Sequence, residues 1–421
     1  MSVRILVVAH NHPALHPGGT EIVAHDLFQA YKREGREAMF LAATNRVHRE
    51  PRPGTSFQAV GDAPDEVVVW AGHFDRLMMS QIDLHGVVPD LIRLLEEFRP
   101  DAVEIHHLLL VGAEFPALVR RVLPEARIVL MLHDYYPICA HDGLLVRRHD
   151  RTRCTRPSTD DCHRCFPETS REKFFLRELN LKNHLATVDT FISPSHFLKE
   201  RYVEWGLPGA RIEVIPNGHP GGAVAPERRT QGARNVFGYF GNLNPWKGVL
   251  PLLEACRLLS NEGAEFEVRV HGAPLFQSET FLGELEAAFA KAGRSVVKMG
   301  GYGRADVPAL MAEVDWAVVP SIWWENAPLT ISEAQFHRRP VIASGIGGMA
   351  ELVRDGENGL HVRPDDPADL ARVMRRAMEE FGLHRRLSTG AVAPPSTEDT
   401  AVRHLAVLDG VTGAAGARVA A

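Results

Sequence analysis

The sequence predicts an α/β protein built as two doubly wound parallel-sheet domains. Three observations predict it. The chain has 421 residues, more than one ordinary domain holds. Val3 to Ala9 is a continuous run, apolar but for Arg4, that leads through a loop into an amphipathic helix and a second strand, as a central parallel strand does. Val236 to Phe240 repeats that architecture, with a glycine-bearing turn between strand and helix.

Hydrophobic content of 45% and charged content of 24% describe a chain with enough apolar material for real cores. A net charge of −6 argues against general nucleic-acid binding. No apolar run reaches membrane-spanning length and the N-terminus carries no signal-peptide pattern, so the expected location is the cytoplasm.

In the first half, the loop His10–Gly19 leads into a helix from about Thr20 to Gly35, whose apolar face carries Ile22, Val23, Leu27, Ala30 and Tyr31. Gly18 and Gly19 at its entry allow another group close to the backbone. His12 and His16 on this loop are candidate acceptor contacts. Ala38–Ala43 reads as the next strand, and Asn45–Asp65, rich in Pro and Gly, as a surface excursion. Helix Pro89–Phe98, strand Asp101–His107, helix Ala113–Leu123 and strand Arg127–Leu132 continue the alternation. His133 follows at the functional edge of the sheet.

Within 135–168, Cys139, Cys154, Cys162 and Cys165 are spaced C-x14-C-x7-C-x2-C, with few residues between them that could make an apolar core. A closed site of four thiolates around zinc would hold such a segment together in a reducing compartment. His141, His149 or His163 could replace one thiol, and an iron–sulfur cluster also suits four cysteines, though zinc is the first expectation. A helix Phe174–Ala186, strand Val188–Ser193, helix Phe197–Trp205 and strand Ile212–Ile215 complete the first domain, 1–218; residues 219–234 read as a linker.

The second domain, 235–390, starts with the strand Val236–Phe240 and the turn Gly241–Gly248. Lys247 there is a flexible point charge suited to a diphosphate. Strands Glu267–Gly272 and Val296–Met299 follow. Glu325-Asn326-Ala327-Pro328-Leu329-Thr330-Ile331-Ser332-Glu333 then joins a buried strand to a helix that has Pro328 in its first turn. Unpaired amides at a helix start favour an anion. Carboxylates beside such a site, Glu325 and Glu333, instead suit sugar hydroxyls. Together they point to a sugar joined to a phosphate. Asp365-Asp366 reads as a helix cap, and 391–421 as a tail whose stretch from His404 to Leu408 is helical and whose last dozen residues are mobile.

The spacing Glu325-x7-Glu333, followed by Pro340–Ser344, Gly347-Gly348 and Asp355–Leu360, resembles family 4 of the glycosyltransferases, here a subgroup with a four-cysteine insertion. The likeness covers most of the chain and is strongest from Val314 to Asp369. It implies the GT-B fold, two Rossmann-like domains facing each other across a cleft, with the tail returning to the first. It implies transfer of a sugar, with retention, from a nucleotide diphosphate sugar to a carbohydrate or lipid-linked acceptor. It requires no metal for catalysis and allows a peripheral contact with the inner membrane face.

By the same resemblance His133 faces the transferred sugar, and Glu325 and Lys247 complete the catalytic set. Gly18 and Gly19 lie near the donor phosphates, Met299 and Tyr302 near the base, and Asn326, Ala327, Leu329 and Thr330 present the helix start. Glu333 takes the ribose. The family commonly has Arg at Asn242 and Glu at Trp246; both departures place more of the phosphate charge on Lys247. Rival readings are a nucleotide-sugar hydrolase or epimerase on the same scaffold, and a binding subunit without turnover.

Overall fold

In this computed structural model residues 3–228 and 232–410 are described. The expectation of a mobile C-terminus falls on 411–421, outside them. The chain divides into two compact units, one ending at Pro220 and resuming at Pro395, the other spanning Gly221–Pro394.

The first unit contains β1 (Arg4–His10), α1 (Gly19–Arg33), β2 (Glu37–Thr44), β3 (Phe57–Ala59), β4 (Glu66–Trp70), β5 (Phe74–Asp75), β6 (Ser80–Gln81) and α2 (Val87–Phe98). It continues with β7 (Ala102–Ile105), α3 (Phe115–Val122), β8 (Arg127–Met131), α4 (Thr159–Cys165), α5 (Arg171–Leu185), β9 (Thr190–Ser193), α6 (His196–Trp205) and β10 (Ile212–Val214). The sheet order is β10-β9-β8-β7-β1-β2-β4-β3. All pairs are parallel except β3 with β4. β1 lies between β7 and β2, and Ile5 to Ala9 are fully buried, which is why the run has no polar side. The stretch read as a surface excursion contains β3, and β4 follows it. The Val67-Val68-Val69 run pairs with β2 on one side and with β3, the edge strand, on the other.

The second unit contains β11 (Val236–Phe240), α7 (Val249–Asn261), β12 (Glu267–His271), α8 (Glu279–Ala292), β13 (Val296–Gly300), α9 (Val307–Ala312) and β14 (Trp316–Val319). Then come α10 (Leu329–Phe336), β15 (Val341–Ser344), α11 (Gly347–Leu352), β16 (Gly359–Val362), α12 (Pro367–Glu379) and α13 (Leu383–Thr389). Its all-parallel sheet runs β13-β12-β11-β14-β15-β16. Pro328 is not a helical residue but the cap before α10, with ψ of 122°.

Residues 221–228, assigned above to a linker, are part of this unit. Ala225 packs in its core, Arg228 grips the buried carboxylate of Asp315 at 2.7 Å, and buried Arg339 reaches the carbonyl of Pro226. Residues 229–231 of that linker lie outside the described residues.

The chain closes with α14 (Thr397–Leu408), which packs on α1, β7 and β8 of the first unit. Ser396 caps it by accepting from the Asp399 amide. Among the described residues no helix is long and apolar enough to cross a membrane.

Candidate active site

In each unit the polar residues collect where the strand order reverses, the crevice in which open α/β sheets bind ligands. In the second unit that point lies between β11 and β14. The loop after β11 carries Lys247, and the loop after β14 carries Glu325. Asn244 shapes the first loop by accepting from the Trp246 and Lys247 amides, each at 3.0 Å. Gly248 then has φ of 74°, and a Cβ there would overlap the carbonyl of Pro320. This close approach brings the two loops together.

Glu325 is 5% exposed. Its Oε1 accepts from Lys247 Nζ at 2.6 Å, Ser321 Oγ at 2.8 Å and Trp323 Nε1 at 2.9 Å. All three bonds fall on one oxygen, so Oε2 takes none of them. The Glu325 carbonyl accepts from Gly348 N, and a Cβ on Gly348 would overlap the Asn326 carbonyl. Asn326 is buried and Ala327 half-buried, with Pro328 completing the turn. Leu329 and Thr330 open α10, so their amides are among those left free of helix partners. Thr330 Oγ1 also points to the Phe240 carbonyl at 3.4 Å.

Glu333, one turn on, is half-buried. Burial pushes its carboxyl up from the ordinary value and Arg304 counters that. Arg304, with Gly303 at the turn after β13, is a cation that sequence reasoning did not name. Tyr302 senses the Glu333 charge and stands edge-on to Phe240 and His271, which stack at 4.8 Å. Met299 is 41% exposed on the edge strand β13. Asn242 Oδ1 accepts from Leu275 N at 3.2 Å, so its NH2 is the end that can donate to a phosphate.

In the first unit the strand order reverses between β1 and β7. His10 ends β1, and its ring lies 4.2 Å from that of His107, just beyond β7. His107 Nε2 is 2.8 Å from Asp134 Oδ2, beyond β8. Gly18 caps α1, Gly19 begins it, and a Cβ on Gly18 would collide with the carboxyl of Glu21. Glu21 is 2% exposed, 3.4 Å from His10 Nε2, and burial pushes its pKa up to about 8. His133 sits beside this group, half-buried. Burial, then His106 and His107, hold its pKa well below the ordinary value, so it is neutral. Its Nε2 is 2.9 Å from His106 Nδ1. Sequence reasoning found His133 but not His10, Glu21, Glu104, His106 or His107.

His12 does not join them. It is buried, and its Nδ1 accepts from the Ala14 amide at 3.1 Å. A neutral His12 must then carry its proton on Nε2, which faces Glu66 Oε2 at 2.8 Å. Glu66 also faces His25 Nε2 at 3.2 Å and accepts from Gln29 at 3.1 Å. Among the described residues the metal-type ligand atoms within 4.8 Å of one another are those of His12, His25 and Glu66. The protonated Nε2 of His12 makes this trio a hydrogen-bond hub rather than a metal centre. His16 packs at 5.1 Å from His48, on the same side of the unit as the His10 cluster.

The four cysteines are free thiols that feel one another's charge, but no three of their sulfurs lie within 4.8 Å of one another. Cys162 and Cys165 share the last turn of α4, and the hairpin bridge Val146–Arg153 brings Cys154 alongside Leu145. Backbone amides donate to the sulfurs: Arg148 to Cys165 at 3.2 Å, His141 and Leu145 to Cys139, Arg156 to Cys154. Burial, then Cys139 and Cys154, pushes the Cys162 thiol up to about 12. No residue of α4 is buried, and the apolar packing of this segment comes from Tyr135, Ile138, Leu145 and Val146 before it. Arg177 of α5 anchors its start, donating to the Tyr136 and Pro137 carbonyls at 2.6 and 2.7 Å.

Comparison with known proteins bears on both units. Residues 17–220 match the family model described as Glycosyltransferase Family 4, and residues 234–380 the one described as Glycosyl transferases group 1. The chain is 27% identical over 207 residues to a lipopolysaccharide 1,2-N-acetylglucosaminetransferase of Salmonella typhimurium, covering 46% of this chain and 54% of that one. It is 33% identical over 211 residues to a D-inositol 3-phosphate glycosyltransferase of Geodermatophilus obscurus, covering 44% of each. The matched part thus spans about half the length of these curated relatives.

Among solved structures, Anabaena Alr3699/HepE in complex with UDP aligns with a TM-score of 0.68 at 19% identity, covering 97% of this chain and 100% of that one. Sucrose-phosphate synthase of Thermosynechococcus elongatus aligns with a TM-score of 0.71 at 16% identity, covering 97% and 99%. These neighbours establish the fold, which is GT-B. With one matched model on each unit and the two switch points furnished as described, the chain belongs to the family 4 glycosyltransferases.

Proposed function

We propose that the protein transfers a hexosyl group, with retention of configuration, from a nucleotide diphosphate sugar to a hydroxyl of a carbohydrate or lipid-linked acceptor. The observation that carries this reading is the Lys247–Glu325 pair at the second unit's switch point, with one carboxylate oxygen outside its three internal bonds. Lys247 and the first amides of α10 would stabilise charge growing on the leaving diphosphate. Glu325 Oε2 would accept from a sugar hydroxyl. Glu333 would hold the ribose, with Arg304 beside it, and Tyr302 and Met299 would flank the base. At the first unit's own switch point, His133, His10, Glu21 and the Gly18-Gly19 turn would bind the acceptor.

The departing phosphate would take the acceptor proton on the same face, as the resemblance to family 4 implies. UDP-sugars are the first donors to try, because the Alr3699/HepE neighbour was solved with UDP and with UDP-glucose. The test is a thermal-shift screen of nucleotide sugars followed by product analysis. Donors that bind raise the melting point by mass action. Stoichiometric glycosylated acceptor supports transfer; nucleotide release with free sugar alone would make the protein a hydrolase.

We further propose that Cys139, Cys154, Cys162 and Cys165 hold a structural zinc ion in a subgroup-specific insertion. The amides aimed at three of the sulfurs suit thiolates, and a bound cation would draw the four sulfurs closer together than they stand. The metal would supply the folding energy that α4, with no buried residue, does not. It takes no part in the transfer.

A further inference from the structure

One side chain touches both members of the Lys247–Glu325 pair. Trp323, on the loop after β14, donates from Nε1 to Glu325 Oε1 at 2.9 Å. The same indole lies under the Lys247 ammonium, with Nζ 5.6 Å from the ring centroid. Buried Ser321 donates to that Oε1 at 2.8 Å, and Lys247 itself does so at 2.6 Å. Two backbone bonds hold the arrangement. Glu325 N donates to the Trp323 carbonyl at 3.1 Å. Ile322 N donates to the Trp246 carbonyl at 2.8 Å, which ties the loop after β14 to the loop after β11.

A carboxylate oxygen has two lone pairs, yet three donors converge on this one. The three are not equal. Ser321 and Trp323 belong to the same loop as the glutamate, and neither has a flexible stem. Lys247 comes from the other loop on a four-carbon stem, and its side chain is 32% exposed against 6% for that of Glu325. The lysine is therefore the donor that can leave, and its departure still leaves Oε1 with two hydrogen bonds. This matters because a buried carboxylate stripped of its cation is strongly destabilised, and hydrogen bonds to the charged group offset that. An indole face attracts an ammonium without taking its protons in hydrogen bonds, so it keeps the ammonium close while those protons turn elsewhere.

We propose that Trp323 is a positioning residue for an exchange of partners: Glu325 holds Lys247 in the ligand-free site, the ammonium passes to the diphosphate when a donor binds, and Trp323, with Ser321, keeps Glu325 in place. The exchange rests on the transfer reading above. It adds that the carboxylate and the diphosphate compete for a single ammonium.

The test is calorimetric titration of the full chain with UDP, GDP, ADP and dTDP, which needs no turnover; the tightest binder is then used throughout. Glu325→Gln should bind it about tenfold more tightly than wild type, because the ammonium is no longer held. In a Lys247→Ala background the same change should gain about threefold or less, since only the repulsion between carboxylate and diphosphate is then relieved. Trp323→Phe keeps a ring face but lacks the N–H. It should bind about threefold or more weakly than wild type, and change affinity by less than about twofold once Glu325→Gln is present. A loss from altered packing alone would persist in that background. Folding is checked by circular dichroism, and Glu325→Ala and Trp323→Leu carry the same comparisons where the first variants do not fold. Equal or weaker binding by Glu325→Gln, a gain as large without Lys247, or a Trp323→Phe loss that persists without the carboxylate would overturn the proposal. If none of the four nucleotides binds the wild-type protein, the donor-site reading fails and takes this proposal with it. If one binds and the couplings are absent, only this proposal fails.

Discussion

The ammonium of Lys247 stands 2.6 Å from Oε1 of Glu325, although 78 residues of sequence separate them. The pair joins the loops after β11 and β14, which Gly248 allows to touch. Two bonds from Ser321 and Trp323 fix the same oxygen, so the carboxylate cannot rotate without breaking three interactions. Such a group is pre-oriented before any ligand arrives, and pre-orientation is what electrostatic catalysis needs.

Lys247→Ala should therefore lower kcat by about a hundredfold or more, and Glu325→Gln by a similar factor. The lysine change also strips a charge-assisted partner from a carboxylate that is 5% exposed, and should cost about 1–2 kcal/mol of stability. Steady-state kinetics and chemical denaturation read the two effects separately. Activity within twofold of wild type in both variants would remove them from the reaction.

Glu333 gives a pH signature. Burial raises its pKa, and the ionised form is the stronger acceptor for two hydroxyls. Donor KM should therefore fall as pH rises from the ordinary carboxylate value of 4.5 through the raised one. Glu333→Gln should raise KM about tenfold and flatten that dependence while changing kcat little. A pH profile of KM for both proteins checks this.

Glu21 predicts the opposite trend in stability. Its folded pKa, about 8, lies above the ordinary 4.5, so between these values the folded state keeps a proton that the unfolded chain has lost. The stability this group contributes is complete below about 4.5 and disappears as pH rises through about 8. Glu21→Gln should be less sensitive, and the two melting curves should diverge by several kcal/mol across that window. Parallel pH dependences would contradict the buried, unionised carboxyl.

Much of this was legible in the sequence, for identifiable reasons. The buried strands β1, β8, β11, β14 and β15 announce themselves because nothing polar interrupts them. Lys247 and Glu325 are legible because each follows such a strand at its carboxyl end. β4 was missed because Val67 to Val69 follow a long polar stretch and sit on the sheet's flank, where no helix pattern frames them. The partners of buried Glu104 were missed for a different reason. One acid inside Ala102–Ile105 signals that donors must exist, but Tyr31 and His404 lie 73 and 300 residues away, and only the fold brings them there. Arg304 gave no local sign because its partner Glu333 is on another helix.

Gly348 tests the close packing behind Glu325. A Cβ there would overlap the Asn326 carbonyl, in the turn that presents α10. Gly348→Ala should destabilise the protein by about 2 kcal/mol or more and reduce kcat together with it. Wild-type melting behaviour would show that the turn is looser than described.

The cysteine segment yields a measurement of content. Protein purified without chelator should carry about one zinc per chain by mass spectrometry of metals, as one four-thiolate site holds. Cys162→Ser should lose it and melt earlier, and chelation should have the same effect. Unchanged metal content and melting in Cys162→Ser would remove the site.

The anomeric configuration of the product tests the central claim most directly. With an α-linked nucleotide sugar as donor and an acceptor hydroxyl, NMR of the first-formed product should show an α linkage with wild-type protein, and no product with Lys247→Ala or Glu325→Gln. A β-linked product, or free sugar as the sole product, would contradict the account.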